Sequence, residues 1–265
     1  MFNYRIISTL VLFAMVGLTI AFNWFFVLVV ATLTGLGLYE FFTMVEKKGV
    51  NIYKYFGVIT GVLIPLSIFF RFELTKGWEF LFIVLALFIM IVLQFARKDS
   101  SQAISAISVT LFGIVYVAWC FSFFVKLKYL PGGNGLVGAV ILITKGGDIG
   151  AYLTGVKWGR IPLIPRISPN KSIEGAFGGV VFSLLCGLAC RPFLPFSLPH
   201  LILVSICLGV IGQLGDLSES LFKRDCQVKD AGKFIPGMGG VLDVIDSLLF
   251  TVPVFYFYVS VVLRQ

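Results

Sequence analysis

Apolar residues arrive along this chain in long blocks, and polar residues are confined to the gaps between them. A helix needs about 20 apolar residues to cross a hydrocarbon core. Blocks of roughly that length lie at about 5–22, 24–45, 53–70, 78–95, 102–125, 135–156, 172–191, 199–222 and 241–263. The pattern predicts an all-α, polytopic integral membrane protein with about nine transmembrane helices. The sixth block is the weakest as a span, because it carries Lys145, Gly146, Gly147 and Asp148. The first has only Arg5 before it and no small-x-small cleavage pattern near its end, so it reads as a helix and not as a signal peptide. No internal repeat or low-complexity tract is visible. Residues 1–130 are expected to hold helices one to five. Residues 131–265 are expected to hold helices six to nine and the catalytic loops.

Composition sharpens the class. Hydrophobic residues are 58% of 265 and charged residues 13%, too little polar surface for a soluble domain of this size. The net charge of +8 does not point to nucleic acid, because the basic residues are spread over several short loops. They are instead distributed by side. The N-terminal side carries Arg5, Lys47, Lys48, Lys54, Arg97, Lys98, Lys157, Arg160, Arg166, Lys171, Lys223, Arg224, Lys229 and Lys233. The opposite side carries Arg71, Lys76, Lys126, Lys128, Arg191 and Arg264. The positive-inside rule puts the richer side in the cytoplasm and the C-terminus outside, in a bacterial inner (cell) membrane. The five cysteines form no CxxC pair and read as packing residues. With His200 the only histidine, a histidine-based metal site or proton relay is disfavoured.

The chemistry gathers on the cytoplasmic side, which also holds the two longest polar loops, 157–171 and 223–240. Asp148, Glu174, Asp216, Glu219, Asp243 and Asp246 all fall near that end of four predicted helices. Each would cost about 2.5–3.5 kcal/mol at a helix centre, and less near the interface. Asp216, Glu219, Ser220 and Lys223 follow i, i+3, i+4, i+7 and share one helix face. Asp243 and Asp246 are three apart on the next helix. Carboxylates without histidine or thiolate favour a hard cation such as Mg2+. Asp216, Asp243 and Asp246 are the expected metal ligands, with Glu219 and Lys223 beside them as catalytic residues. Lys223, Arg224, Lys229 and Lys233 supply the positive charge that a nucleoside triphosphate requires. Two glycine-bearing stretches, IPGMGG (235–240) and SPNKSIEG (168–175), lead into helix N-termini suited to phosphate. Taken singly, each feature has a plain explanation: a salt bridge, a tight turn, a Lys145–Asp148 pair. Their convergence on one face is what asks for a function.

These residues resemble the signature of the phosphatidate cytidylyltransferases, or CDP-diacylglycerol synthases. The similarity runs through GDIGAYLTG (147–155), SPNKSIEG (168–175), GDLSES (215–220), Lys223-Arg224, Lys229-Asp230 and PGMGGVLDVID (236–246). It covers about 145–250; the first 130 residues match in hydropathy alone. The resemblance implies the reaction of CTP with phosphatidate to give CDP-diacylglycerol and pyrophosphate. It implies a magnesium ion with a second, potassium, ion, held mainly by acids matching Asp216 and Asp243. It places Asp148, Ser168, Lys171, Ser172, Glu174, Ser220, Arg224, Lys229, Asp230, Gly237, Gly239 and Gly240 in substrate binding. The implied partners are CTP, phosphatidate and membrane lipids; a homodimer stays open. The chain departs from the pattern at Met238, Val244 and Asn170, where the family often has His, Arg and Lys. Two other readings compete: another CTP-using lipid enzyme, such as a polyprenol-type kinase or an archaeol cytidylyltransferase, and an ion-coupled transporter. A transporter would place its acids near the midplane on broken helices.

Overall fold

A computed structural model describes residues 22–70, 78–97, 101–235 and 239–262. The first expected span, Gly237 and Met238 lie outside the described residues. Eight helices follow in order: α1 (Asn23–Glu46), α2 (Lys54–Phe69), α3 (Trp78–Phe95), α4 (Ala103–Lys128), α5 (Gly133–Trp158), α6 (Ile173–Ala189), α7 (Leu198–Asp225) and α8 (Val241–Val262). A short antiparallel pair, β1 (Pro162–Ile164) and β2 (Ser168–Ser172), precedes α6. The all-α polytopic class expected from the pattern is borne out, and the chain is a multi-pass membrane protein. Five helices are long and apolar enough to cross a bilayer: α1, α4, α5, α7 and α8. Helices α2 and α6 and the Phe80–Phe95 part of α3 are apolar but shorter. By that measure the described residues give five spans, and the count of nine is not confirmed. The weakest expected span, the sixth, is one unbroken helix of 26 residues, α5.

The chain divides into two compact units. The first comprises residues up to Val125 together with Cys226–Val244. The second comprises Lys126–Asp225 and the chain from Ile245 onward. The polar segment between α7 and α8 therefore groups with the N-terminal helices.

In the first unit, the outward face of α3 is apolar: Phe80, Val84 and Phe88 are all well exposed. Such a surface would be an aggregation hazard in water and is ordinary in lipid, where tails are as apolar as the side chains. The inward seam is built from small residues. A Cβ on Gly57 would come within 2.6 Å of the Phe42 ring, and one on Gly113 within 2.5 Å of the same ring. Gly57 and Gly61 are four apart on α2, so α1 approaches α2 closely and Phe42 is seated between α2 and α4. The helical ladder loosens to a π-turn at Ile114–Trp119, just beyond Gly113. Buried hydroxyls are satisfied within their own helices: Thr34 Oγ1 donates to Val30 O (2.8 Å) and Thr110 Oγ1 to Ala106 O (2.7 Å).

The second unit is also joined through small residues, but between more helices. On α5, Cβ atoms at Gly146 and Gly147 would run into Cys186 and Ser183 of α6. On α7, a Cβ at Gly209 would lie 2.9 Å from Ser183, and one at Gly215 would lie 2.7 Å from the Asp246 carbonyl of α8. The last approach is backbone to side-chain position, with no room for a methyl group. It sets the distance between the acids carried on α7 and α8.

Candidate active site

Because Gly215 lets α7 lie against α8, Asp216 and Glu219 meet Asp246. One carboxylate oxygen from each of the three lies within 4.8 Å of the others. Glu219 is 1% exposed and Asp246 5%, while Asp216 is half-buried. Three carboxylates so close repel one another, and the burial removes the water that would screen them. Cations offset this. Lys171 Nζ, at the end of β2, is 2.6 Å from Asp216 Oδ2. Lys223 Nζ, one turn along α7, is 2.6 Å from Glu219 Oε2. Lys145 on α5 adds a third positive group. Its Nζ donates to Asp148 Oδ2 (2.9 Å) and to Ser247 Oγ (2.8 Å), and Ser247 Oγ donates to the same Asp148 oxygen (2.9 Å). Carboxylate and ammonium groups thus alternate within one unit, carried by α5, β2, α7 and α8.

The β-pair explains how Lys171 arrives. Residues 168–172 form a strand whose Ser168 pairs with Ile164 and whose Ser172 pairs with Pro162. Ser172 then caps α6, its Oγ accepting from Gly175 N (3.1 Å). Such a cap contributes about 1 kcal/mol to helix stability. Glu174 does not join the acid cluster through any contact seen here. Its Oε2 accepts from the amides of Arg160 (3.1 Å) and Ile161 (3.3 Å), which ties the start of α6 to the chain entering β1. Arg224 Nε donates to Ile167 O (3.2 Å), so the end of α7 is fastened to the turn between the strands. Ser220 is half-buried on α7.

The remaining expected site residues belong to the first unit. Asp243 Oδ2 accepts from Gly240 N (2.7 Å) and Ala231 N (3.1 Å), closing the loop before α8 onto the first turn of that helix. Gly239 takes φ +98°, a left-handed conformation that favours glycine, and exchanges two backbone hydrogen bonds with Ile235. Lys229 and Asp230 are exposed on this loop. Two residues that the pattern did not single out hold parts of this picture together. Ser247 bridges Lys145 and Asp148. Glu40, an acid in the last third of α1, is 2% exposed, and its Oε2 accepts from Leu242 N at 2.8 Å.

A buried, all-oxygen carboxylate triad flanked by lysines in a multi-pass membrane protein is a donor set suited to a hard cation. The donor set fits Mg2+, since three carboxylates converge and two of them are almost fully shielded from water. Comparison with known proteins narrows the reading to one family. The Cytidylyltransferase family matches residues 3–262, nearly the whole chain, and the chain belongs to it. It is 30% identical to the phosphatidate cytidylyltransferase of Bacillus subtilis, with 89% of this chain and 88% of that protein covered. It is 32% identical to the phosphatidate cytidylyltransferase of Synechocystis, with 98% and 97% covered. It is also 37% identical to the uncharacterized protein YnbB of Escherichia coli, over 68% of this chain; there the chain spans 62% of the relative's length. The family read from the motifs is therefore the family found.

Proposed function

We propose that the chain is a phosphatidate cytidylyltransferase, transferring the cytidylyl group of CTP to phosphatidate to form CDP-diacylglycerol. A phosphate oxygen of phosphatidate attacks the α-phosphorus of CTP. The bond from that phosphorus to the β-phosphate oxygen breaks, and pyrophosphate leaves with the electron pair. The attacking group is already anionic, so no strong base is needed. The barrier lies in bringing two anions together and in the charge that builds on the leaving group.

The observation that carries this reading is the pairing of Lys171 with Asp216 and of Lys223 with Glu219, in a chain of this family. An ammonium held by a carboxylate at a membrane face can exchange that partner for a phosphate oxygen. Lys171 and Lys223 are assigned to the triphosphate. Lys145, fixed by Asp148 and Ser247, adds positive potential. Asp216, Glu219 and Asp246 would hold Mg2+. When bound, the ion neutralises phosphate oxygens and steadies the departing pyrophosphate. The resemblance adds Asp243 to the metal ligands and adds a potassium ion; the Asp243 contact seen here is the one that orders the loop. Ser168, Lys229, Asp230, Gly237, Gly239 and Gly240 stay assigned to substrate binding by the resemblance. The acid-bearing face is assigned to the cytoplasm and the protein to the bacterial inner membrane, from the distribution of basic residues.

The test is product identification with CTP and phosphatidate in detergent. The proposal expects pyrophosphate and a cytidine-bearing lipid in equal amounts. Release of CDP with a phosphorylated lipid would make the chain a kinase. Turnover with an archaeol-type phosphate and none with phosphatidate would reassign the acceptor.

A further inference from the structure

Among the described residues, Glu40 is a carboxylate far from the acid cluster in sequence and deeply buried in the first unit. Buried hydroxyls of the same unit, Thr34 and Thr110, bond to carbonyls of their own helices, but a carboxylate has no donor with which to do that. Glu40 reaches instead across 202 positions of sequence to the amide of Leu242. That amide is one of the donors at an α-helix N-terminus that lack a partner within the helix, and the dipole there favours a negative charge. Its second oxygen, Oε1, is buried without a hydrogen-bond partner. Two glycines make the room. A Cβ on Gly240 would sit 2.5 Å from Oε2 and 2.7 Å from Oε1, and a Cβ on Gly232 would collide with Oε1. The backbone at Gly232 and at Gly240 is therefore laid directly over the Glu40 carboxylate. Asp243 fastens the same loop from within, through Gly240 and Ala231.

We infer that Glu40 is a positioning residue for the reaction: it anchors the 226–244 loop, which presents Lys229, Asp230 and Asp243, from the N-terminal half of the chain. This rests on the proposed cytidylyl transfer for its catalytic consequence, though not for its structural one. Gly232 and Gly240 are glycines because the anchor occupies the space a side chain would need. Glu40 touches neither substrate nor metal in this account; it acts through the loop.

Full-length protein in detergent tests the inference in two arms. The first needs no substrate. Limited trypsin cleavage after the exposed Lys229 and Lys233 should accelerate about tenfold in Glu40→Ala, with cleavage elsewhere unchanged, because an anchoring charge-assisted hydrogen bond is lost. Glu40→Gln keeps an acceptor for the Leu242 amide and should stay within about threefold of the parent. The second arm is CTP turnover. Glu40→Ala should lose about tenfold or more, with recovery in Glu40→Gln. Gly232→Ala should be as damaging as Glu40→Ala, and the double variant no worse than either, since removing the carboxylate vacates the space the methyl group needs. Unchanged loop cleavage in Glu40→Ala overturns the inference. So does additive loss in the double variant. A parent protein that fails to turn over CTP, while loop cleavage still responds to Glu40, overturns the proposed function and leaves the anchor standing.

Discussion

The two units differ in how they hold the negative charge of their site acids. In the second, three carboxylates are paired with ammonium groups, Asp148 with Lys145, Asp216 with Lys171 and Glu219 with Lys223, while Asp246 accepts from the Ser247 amide (2.6 Å). In the first, Glu40 and Asp243 are bound by backbone amides of the loop and of the α8 N-terminus. An ammonium on a long side chain can change partner when a polyanion arrives. A backbone amide cannot leave without moving the chain. The second arrangement suits a site that exchanges ligands, and the first suits a frame that keeps a loop in one shape. Small residues serve both, but at different contacts. Gly215 seats one acid-bearing helix against another, whereas Gly232 and Gly240 clear space over a single carboxylate.

The sharpest way to break this contrast is to remove negative charge from the exchangeable set. Asp216→Asn and Asp246→Asn preserve size and should each lower CTP turnover by more than about 100-fold, an effect of the order seen when an electrostatic stabiliser is removed from an active site. Steady-state assay of folded, purified variants checks it. Near-parental rates in both would mean that the triad is structural and that the contrast fails.

The lysines come next. Lys223→Ala leaves Glu219 buried without its close cation, and stranding one partner of a buried pair costs about 3–5 kcal/mol. Lys171→Ala removes the cation from the half-exposed Asp216, so its effect on folding should be smaller. Both should reduce turnover by about tenfold to 100-fold. Thermal unfolding separates the two: a clear drop for Lys223→Ala and little change for Lys171→Ala. Equal destabilisation would mean that Lys171 is as structural as Lys223.

Much of the second unit was legible in the sequence, and the reason is local. Asp216, Glu219 and Lys223 share a helix face because of a 3.6-residue period, and their facing of one another follows from spacing alone. The Lys145–Asp148 pair is likewise three residues apart. What could not be read was anything set by distant packing. Lys171 reaches Asp216 only because SPNKS forms a strand, although its proline and asparagine read as loop. Ser247 is one more small residue in an apolar helix until α5 brings Lys145 to it. Glu40 is hidden most completely. It stands alone in an apolar run, in the half of the chain where the motifs are silent, and its partner lies 202 residues away. A lone acid inside a predicted span was the available signal, since such a residue is expensive and functional by default. The count of nine is not confirmed, because hydropathy marks apolar length but not where a helix begins and ends: three of the apolar blocks fold as shorter helices.

A moderate effect is expected at Ser247, which joins Lys145 to Asp148. Ser247→Ala deletes a donor and an acceptor while leaving the direct Lys145–Asp148 contact at 2.9 Å. A net loss of about 1 kcal/mol in the arrangement corresponds to about fivefold in rate if Lys145 contributes to the transition state. A change confined to KM for CTP, with kcat unaltered, would place Lys145 in ground-state binding only.

The smallest effect should fall on Lys233. It is exposed on the loop of the first unit, two residues before the Ile235–Gly239 bridge that closes the turn. Its neighbour Gly232 is fixed by Glu40, so the backbone at 233 is held whichever side chain it carries. A lysine in that position can add to the general positive potential around the loop. At physiological ionic strength, however, an exposed charge is screened over about 8 Å. Lys233→Ala should therefore change turnover by less than about twofold, and whatever change it makes should vanish as salt is raised. Lys223→Ala, by contrast, should keep its deficit at high salt, because the Glu219 partner is buried. Initial rates of both variants across a salt series decide the matter. A large, salt-resistant loss at Lys233 would mean that the loop itself carries a phosphate ligand, and the division between an exchangeable site and a fixed frame would have to be redrawn.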